Sequence, residues 1–207
     1  MPGVFRLVYL LYLRTMKRIA IFASGKGSNV ENLIRYFKNH PLIGIALVVS
    51  NNAQAGAVQI ATKNHVDVLL LAPHQVNDGV FISQSLKAKK INYVVLAGYL
   101  KMIPADLIKA FPDKIINIHP ALLPKFGGKG MYGSNIHKAV IQSGETESGI
   151  TVHFVNEEYD QGRIIAQKAV KLDAADSFTE VENKVRLLEM EWFPTIVEQV
   201  ISATETE

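Results

Sequence analysis

Short apolar runs alternate with helical patterns through the first two thirds of the chain, and this rhythm leaves few folds open. Strands are expected at 18–23, 43–50, 66–71, 93–97 and 115–118, with helices at 29–38, 57–64, 79–89 and 104–110 between and after them. In the first helix Leu33, Ile34 and Phe37 fall on one side. Pro104 stands at a helix start, where its missing N–H costs nothing. A β-α-β-α order implies a parallel sheet with helices on both faces, and ligands of such sheets bind beyond the carboxyl ends of the strands. The last third breaks the pattern. A long loop, 120–133, holds Gly127, Gly128, Gly130 and Gly133, and loops of that length are usually functional or disordered. A helix at 134–143 follows. Two strands, 149–155 and 163–171, are then joined by 156–162 as an antiparallel pair. A helix at 177–201 closes the chain, with Ser177 and Glu180 at the spacing of a capping box. The expected fold is α/β, a Rossmann-like and mostly parallel sheet ending in an antiparallel strand pair.

Composition bounds the function. The 207 residues are 48% hydrophobic, enough for one sizeable core, and a single domain is expected over 16–207. Residues 1–15 read as a non-functional extension. Their apolar stretch from Val4 to Leu13 is interrupted by Arg6 and falls short of the ~20 residues a membrane span needs. The protein is expected in the cytoplasm, without a membrane partner. The absence of cysteine excludes disulfides, thiolate metal sites and cysteine nucleophiles. No cluster of side chains suggests a metal ion. The net charge of +3 permits anionic ligands. The basic residues form no stripe, so no nucleic-acid partner is expected, and Lys87, Lys89 and Lys90 read as a solvated helix face.

Three segments carry chemistry. Gly25-Lys26-Gly27-Ser28-Asn29 follows a strand and opens a helix. Free N–H groups and the positive end of the helix dipole favour a phosphate there, the alternative being a plain turn with a serine cap. A dinucleotide fingerprint is incomplete, since Val30 stands at the third glycine and Ser50, Asn51 and Asn52 replace the acid after the second strand. Asn117-Ile118-His119-Pro120 ends the fifth strand. Strand alternation puts Asn117 and His119 on the same side, and an amide donor beside an imidazole is suited to stabilising an oxyanion. Tyr159-Asp160-Gln161-Gly162 is a turn sequence whose carboxylate can serve as partner to that imidazole.

Together these segments resemble the formyltransferase family that uses 10-formyltetrahydrofolate, and within it most closely the members that act on glycinamide ribonucleotide in purine synthesis. The resemblance is carried by SGKGSN at 24–29, LAGYLKMI at 96–103, INIHPALLPKF at 116–126, GITVHFVNEEYDQGRII at 149–165 and EMEWFP at 189–194. It implies that Gly27, Ser28 and Asn29 cradle the acceptor's phosphate, with Arg186 as a second phosphate partner. Glu189 would receive the acceptor's ribose or amine side. Leu100, Lys101, Met102 and Ile103 would contact the folate, as would Asn117, Asn156, Glu157 and Asp160. It further implies a catalytic set of Asn117, His119 and Asp160, with His153 in support. In that mechanism Asn117 and a protonated His119 stabilise a tetrahedral oxyanion, while Asp160 raises the pKa of His119. Whether His119 acts instead as acid or base stays open. The folate is a co-substrate, and no metal is implied. The chain departs from the family pattern at Ala121, where serine is common, in the longer glycine-rich stretch 127–133, and in having no arginine at 75–80.

Overall fold

The side chains of β1 (Lys17–Phe22) alternate between two cores, because a strand buried on both faces presents successive residues to opposite sides. Ile19 and Ile21 join the core on one face of the sheet, and Ala20 and Phe22 the core on the other. The computed structural model describes residues 16–203; the extension 1–15 and residues 204–207 lie outside the described residues.

Six further strands complete the sheet: β2 (Ile43–Ser50), β3 (Asp67–Leu70), β4 (Tyr93–Leu96), β5 (Ile115–His119), β6 (Glu147–Phe154) and β7 (Ile164–Lys171). Their order is β3-β2-β1-β4-β5-β6-β7. The pairs from β3 to β5 are parallel; β6 and β7 are added antiparallel. The helices are α1 (Ser28–Phe37), α2 (Gly56–Lys63), α3 (Gly79–Ala88), α4 (Ala105–Ala110), α5 (Ser134–Gln142) and α6 (Phe178–Ala203). The core containing Ile19 takes Val30 and Leu33 of α1, Ile136 of α5 and Phe193 of α6; the opposite core takes Ile82 of α3 and Leu107 of α4. The expected α/β fold with helices on both faces and a terminal antiparallel pair is the fold observed. No helix among the described residues is long and apolar enough to cross a membrane.

The capping box forms as the sequence suggests. The Ser177 N–H donates to Glu180 Oε2 at 2.6 Å, and the Glu180 N–H reaches Ser177 Oγ at 3.3 Å. α6 also runs through Pro194. Proline has no N–H for the carbonyl four residues earlier, and Asn32 Nδ2 of α1 donates to that Met190 carbonyl at 2.9 Å. The break in the helix ladder thus becomes the joint that fastens α1 to α6.

The strand order reverses between β1 and β4, the place where ligands of open α/β sheets collect. The loops after β1, β4 and β5 all leave the sheet on that side.

Candidate active site

A cavity of about 850 Å³ opens beyond the carboxyl ends of β1, β4 and β5. Its first wall is the start of α1. Gly27 caps the helix at φ +86° with no side-chain hydrogen bond, so Ser28 is not a serine cap. A side chain at Gly27 would also strike the backbone of Ala57. The first turn therefore keeps its N–H groups free and facing the cavity, as an anion requires. The Asn29 side chain is already engaged within the cavity wall. Its Nδ2 donates to Glu189 Oε2 at 3.0 Å, and its Oδ1 is buried without a partner.

The second wall follows β4. Ser24 steadies it, since the Leu100 N–H donates to Ser24 Oγ at 3.1 Å and that hydroxyl donates to Asn51 Oδ1 at 2.7 Å. Leu100, Lys101, Met102 and Ile103 line the cavity; Leu100 and Met102 are exposed and Ile103 is buried.

The centre holds Asn117 and His119 at the end of β5, both lining the cavity. Antiparallel pairing sets Asn117 opposite His153 of β6, and Asn117 Nδ2 lies 3.0 Å from His153 Nε2. His153 Nδ1 lies 2.8 Å from the Phe154 carbonyl and His119 Nε2 lies 2.8 Å from the Phe126 carbonyl. A carbonyl can only accept, so each of these nitrogens carries the proton. His153 Nε2 then accepts from Asn117.

Asp160 closes over both rings. Its Oδ2 is 3.6 Å from His119 Nδ1 and its Oδ1 is 3.7 Å from His153 Nε2. The Gly128 N–H donates to Oδ2 at 2.9 Å. Two local features put it there. Asp160 adopts φ +56°, a left-handed conformation that Asp tolerates better than most residues. Gly162 packs so closely on β6 that any side chain would run into the Phe154 carbonyl. The Asp-x-Gly sequence is therefore a clamp onto the sheet as well as a turn.

The charge states differ from one expectation. Asp160 was expected to raise the pKa of His119, and its charge does act that way. Burial is stronger, however: His119 is only 4% exposed, and its pKa lies below the ordinary value despite Asp160 and the Phe126 carbonyl. Burial thus favours the neutral ring. Burial pushes Asp160 up as well, but the His153 and His119 rings beside it and the Gly128 N–H outweigh that, and its carboxyl lies below the usual range. Glu189 goes the other way. Burial pushes it up to about 7 against the pull of Asn29 and Arg186.

The structure gathers nearly all the residues singled out from the sequence: Gly27, Ser28, Asn29, the 100–103 segment, Asn117, His119, Asn156, Asp160, Arg186 and Glu189 line one cavity. Glu157 is the exception. It is exposed and outside the lining, while Asn156, Glu158 and Tyr159 of the same loop are on it. Sequence reasoning passed over Tyr99, His137 and Glu182, which also line the cavity. Nothing in the local sequence marks His137 or Glu182, whereas Tyr99 stands within the 96–103 segment. Among the described residues no group of three His, Asp or Glu side chains is placed to hold a metal ion.

The formyl transferase family model matches residues 17–197. Phosphoribosylglycinamide formyltransferase of Bacillus subtilis is 36% identical over 191 residues, covering 90% of this chain and 95% of the relative. The chloroplastic phosphoribosylglycinamide formyltransferase of Arabidopsis thaliana is 45% identical over 175 residues, covering 82% of this chain. The chain spans 60% of the length of that relative, and the same share of the corresponding protein of Vigna unguiculata. The crystal structure of phosphoribosylglycinamide formyltransferase from Bacillus halodurans superposes with a TM-score of 0.82 at 32% identity, covering 90% of this chain and 96% of that one. A cavity at the strand reversal and a sequence match across nearly the whole described chain lead to one conclusion: the chain belongs to the formyl transferase family.

Proposed function

We propose that the protein transfers the formyl group of 10-formyltetrahydrofolate to the amine of glycinamide ribonucleotide, in purine biosynthesis. The observation that carries this reading is that the Asn117, His119 and Asp160 cluster shares one cavity with the open N-terminus of α1. A phosphate held by the first turn of α1 and by Arg186 leaves the rest of the acceptor to reach toward β5. The folate would lie along 100–103 and the 156–160 loop.

The amine nitrogen bonds to the formyl carbon and the bond from that carbon to N10 breaks. One proton leaves the amine and one arrives at N10, so no net acid or base is consumed. Charge builds on the formyl oxygen between these steps. Asn117 would turn an N–H to it, its carboxamide already oriented by His153. The developing negative charge also changes the balance at His119. Burial holds the ring neutral at rest, but an oxyanion added to Asp160 favours the imidazolium. His119 then takes up positive charge, or passes a proton, at the moment it is useful.

The activity is assigned to residues 16–207, with 1–15 contributing nothing, and to the cytoplasm, with no nucleic-acid, membrane or metal partner. The direct test supplies purified protein with 10-formyltetrahydrofolate and glycinamide ribonucleotide and follows release of tetrahydrofolate. No release above the uncatalysed rate would reject the reading.

A further inference from the structure

His137 is buried, aligned with the cavity, and used by nothing described so far. It lies in the first turn of α5, where that helix packs against α6, and its side chain is only 4% exposed. It lines the cavity. Its Nδ1 is sealed from solvent and has no hydrogen-bond partner. A buried N–H without an acceptor costs roughly 1–3 kcal/mol, so the proton belongs on the other nitrogen. Nε2–H is then the donor that the ring can offer the cavity. Protonating Nδ1 as well would create that unpaired N–H, and burial keeps the ring neutral despite the carboxylate of Glu182.

The groups facing His137 locate it. Glu182 lies on the α6 side, on the same helix face as Arg186 and Glu189. His119, at the reacting end, lines the same cavity and is near enough to act on the ring. The ring thus shares one cavity wall with α6, the element assigned to the acceptor's far end, and lies within electrostatic reach of the site of bond formation. What joins those two ends in a phosphoribosyl glycinamide is the sugar. A neutral imidazole with one free N–H suits a hydroxyl oxygen, whereas a phosphate draws cationic donors and free backbone N–H groups.

We propose that His137 is an acceptor-binding residue that donates a hydrogen bond from Nε2 to a ribose hydroxyl. The inference rests on the acceptor reading above.

The test is a cycle between protein and ligand, read by isothermal titration calorimetry without folate. Glycinamide ribonucleotide and its 2′-deoxy and 3′-deoxy analogues are titrated into the unaltered protein and into His137→Phe. Loss of one neutral hydrogen bond should weaken binding about tenfold in the single changes. For one of the two analogues, combining the changes should add little further loss. Independent, multiplying losses for both analogues, or no loss with His137→Phe, would overturn the assignment. His137→Gln, which keeps an N–H donor, runs through the same cycle should the phenylalanine variant fail to fold, and should lose less. A protein that binds the natural acceptor and turns it over, yet shows no coupling, leaves the proposed function standing and removes only the role of His137. Absence of both binding and turnover removes the two together.

Discussion

Asn117 Nδ2 and His153 Nε2 lie 3.0 Å apart across the β5–β6 ladder, and this contact sets how the amide faces the cavity. The hydrogen bond from His153 Nδ1 to the Phe154 carbonyl leaves Nε2 as the acceptor. Replacing His153 with alanine frees the Asn117 carboxamide without removing it. We expect His153→Ala to lower kcat roughly 10-fold to 100-fold and Asn117→Ala roughly 100-fold to 1,000-fold, with smaller changes in either KM. Steady-state kinetics on both variants decides the point. A His153 variant with normal kcat would mean that Asn117 is oriented by something else.

Asp160 and His119 are predicted to act as a unit. Asp160→Asn removes the charge that opposes burial, so the pKa of His119 should fall further below its ordinary value. His119→Ala combined with Asp160→Asn should then be little worse than His119→Ala alone. The measurements are a double-mutant cycle on kcat/KM and NMR titration of His119 in the Asp160 variant. Additive losses with an unmoved imidazole would separate the two residues.

Glu189 should make the protein less stable as pH rises. Burial holds its folded pKa at about 7, above the ordinary 4.5. The unfolded chain therefore releases this proton first, and stability falls between those two values. Glu189→Gln removes the effect while keeping an oxygen for Asn29. Its thermal midpoint should match the parent's near pH 4 and exceed it near pH 8, by roughly 1–3 kcal/mol in stability. Equal midpoints at both pH values would place the titration elsewhere. His119 and His137 act in the opposite sense. Their lowered pKa values favour the fold above the ordinary histidine value and cost stability as pH falls below it.

Asn32 should matter more to stability than to chemistry. Its side chain serves the Met190 carbonyl that Pro194 leaves unpaired. Asn32→Ala strands that carbonyl at the contact between α1 and α6, at a cost of roughly 1–3 kcal/mol. Urea unfolding at constant m-value would register it. Asn32→Ala combined with Pro194→Ala should recover part of the loss, since alanine restores the helical N–H; no recovery would count against this account of the joint.

The sequence by itself determined the sheet, the faces of its helices and the two anchors of the site. Continuous apolar runs and helical patterns report burial directly, so β1 to β5 were legible within a residue or two. The glycine turn before α1 and the Asn-x-His at the end of β5 are local in sequence, and their position at the strand ends followed from the fold. Ser177 and Glu180 were readable for the same reason, being three residues apart. Tertiary structure decided the rest. Asp160 reaches His119 because Gly162 lets its loop lie against the Phe154 carbonyl, and Glu157 is left outside by the same turn. His137, Glu182 and Tyr99 became site residues only when α5, α6 and the β4 loop closed around one space. The charge on His119 turned on how deeply the ring is buried against how near Asp160 stands. Desolvation and opposite charge pull a histidine in contrary directions, and their balance depends on distances that no spacing along the chain encodes.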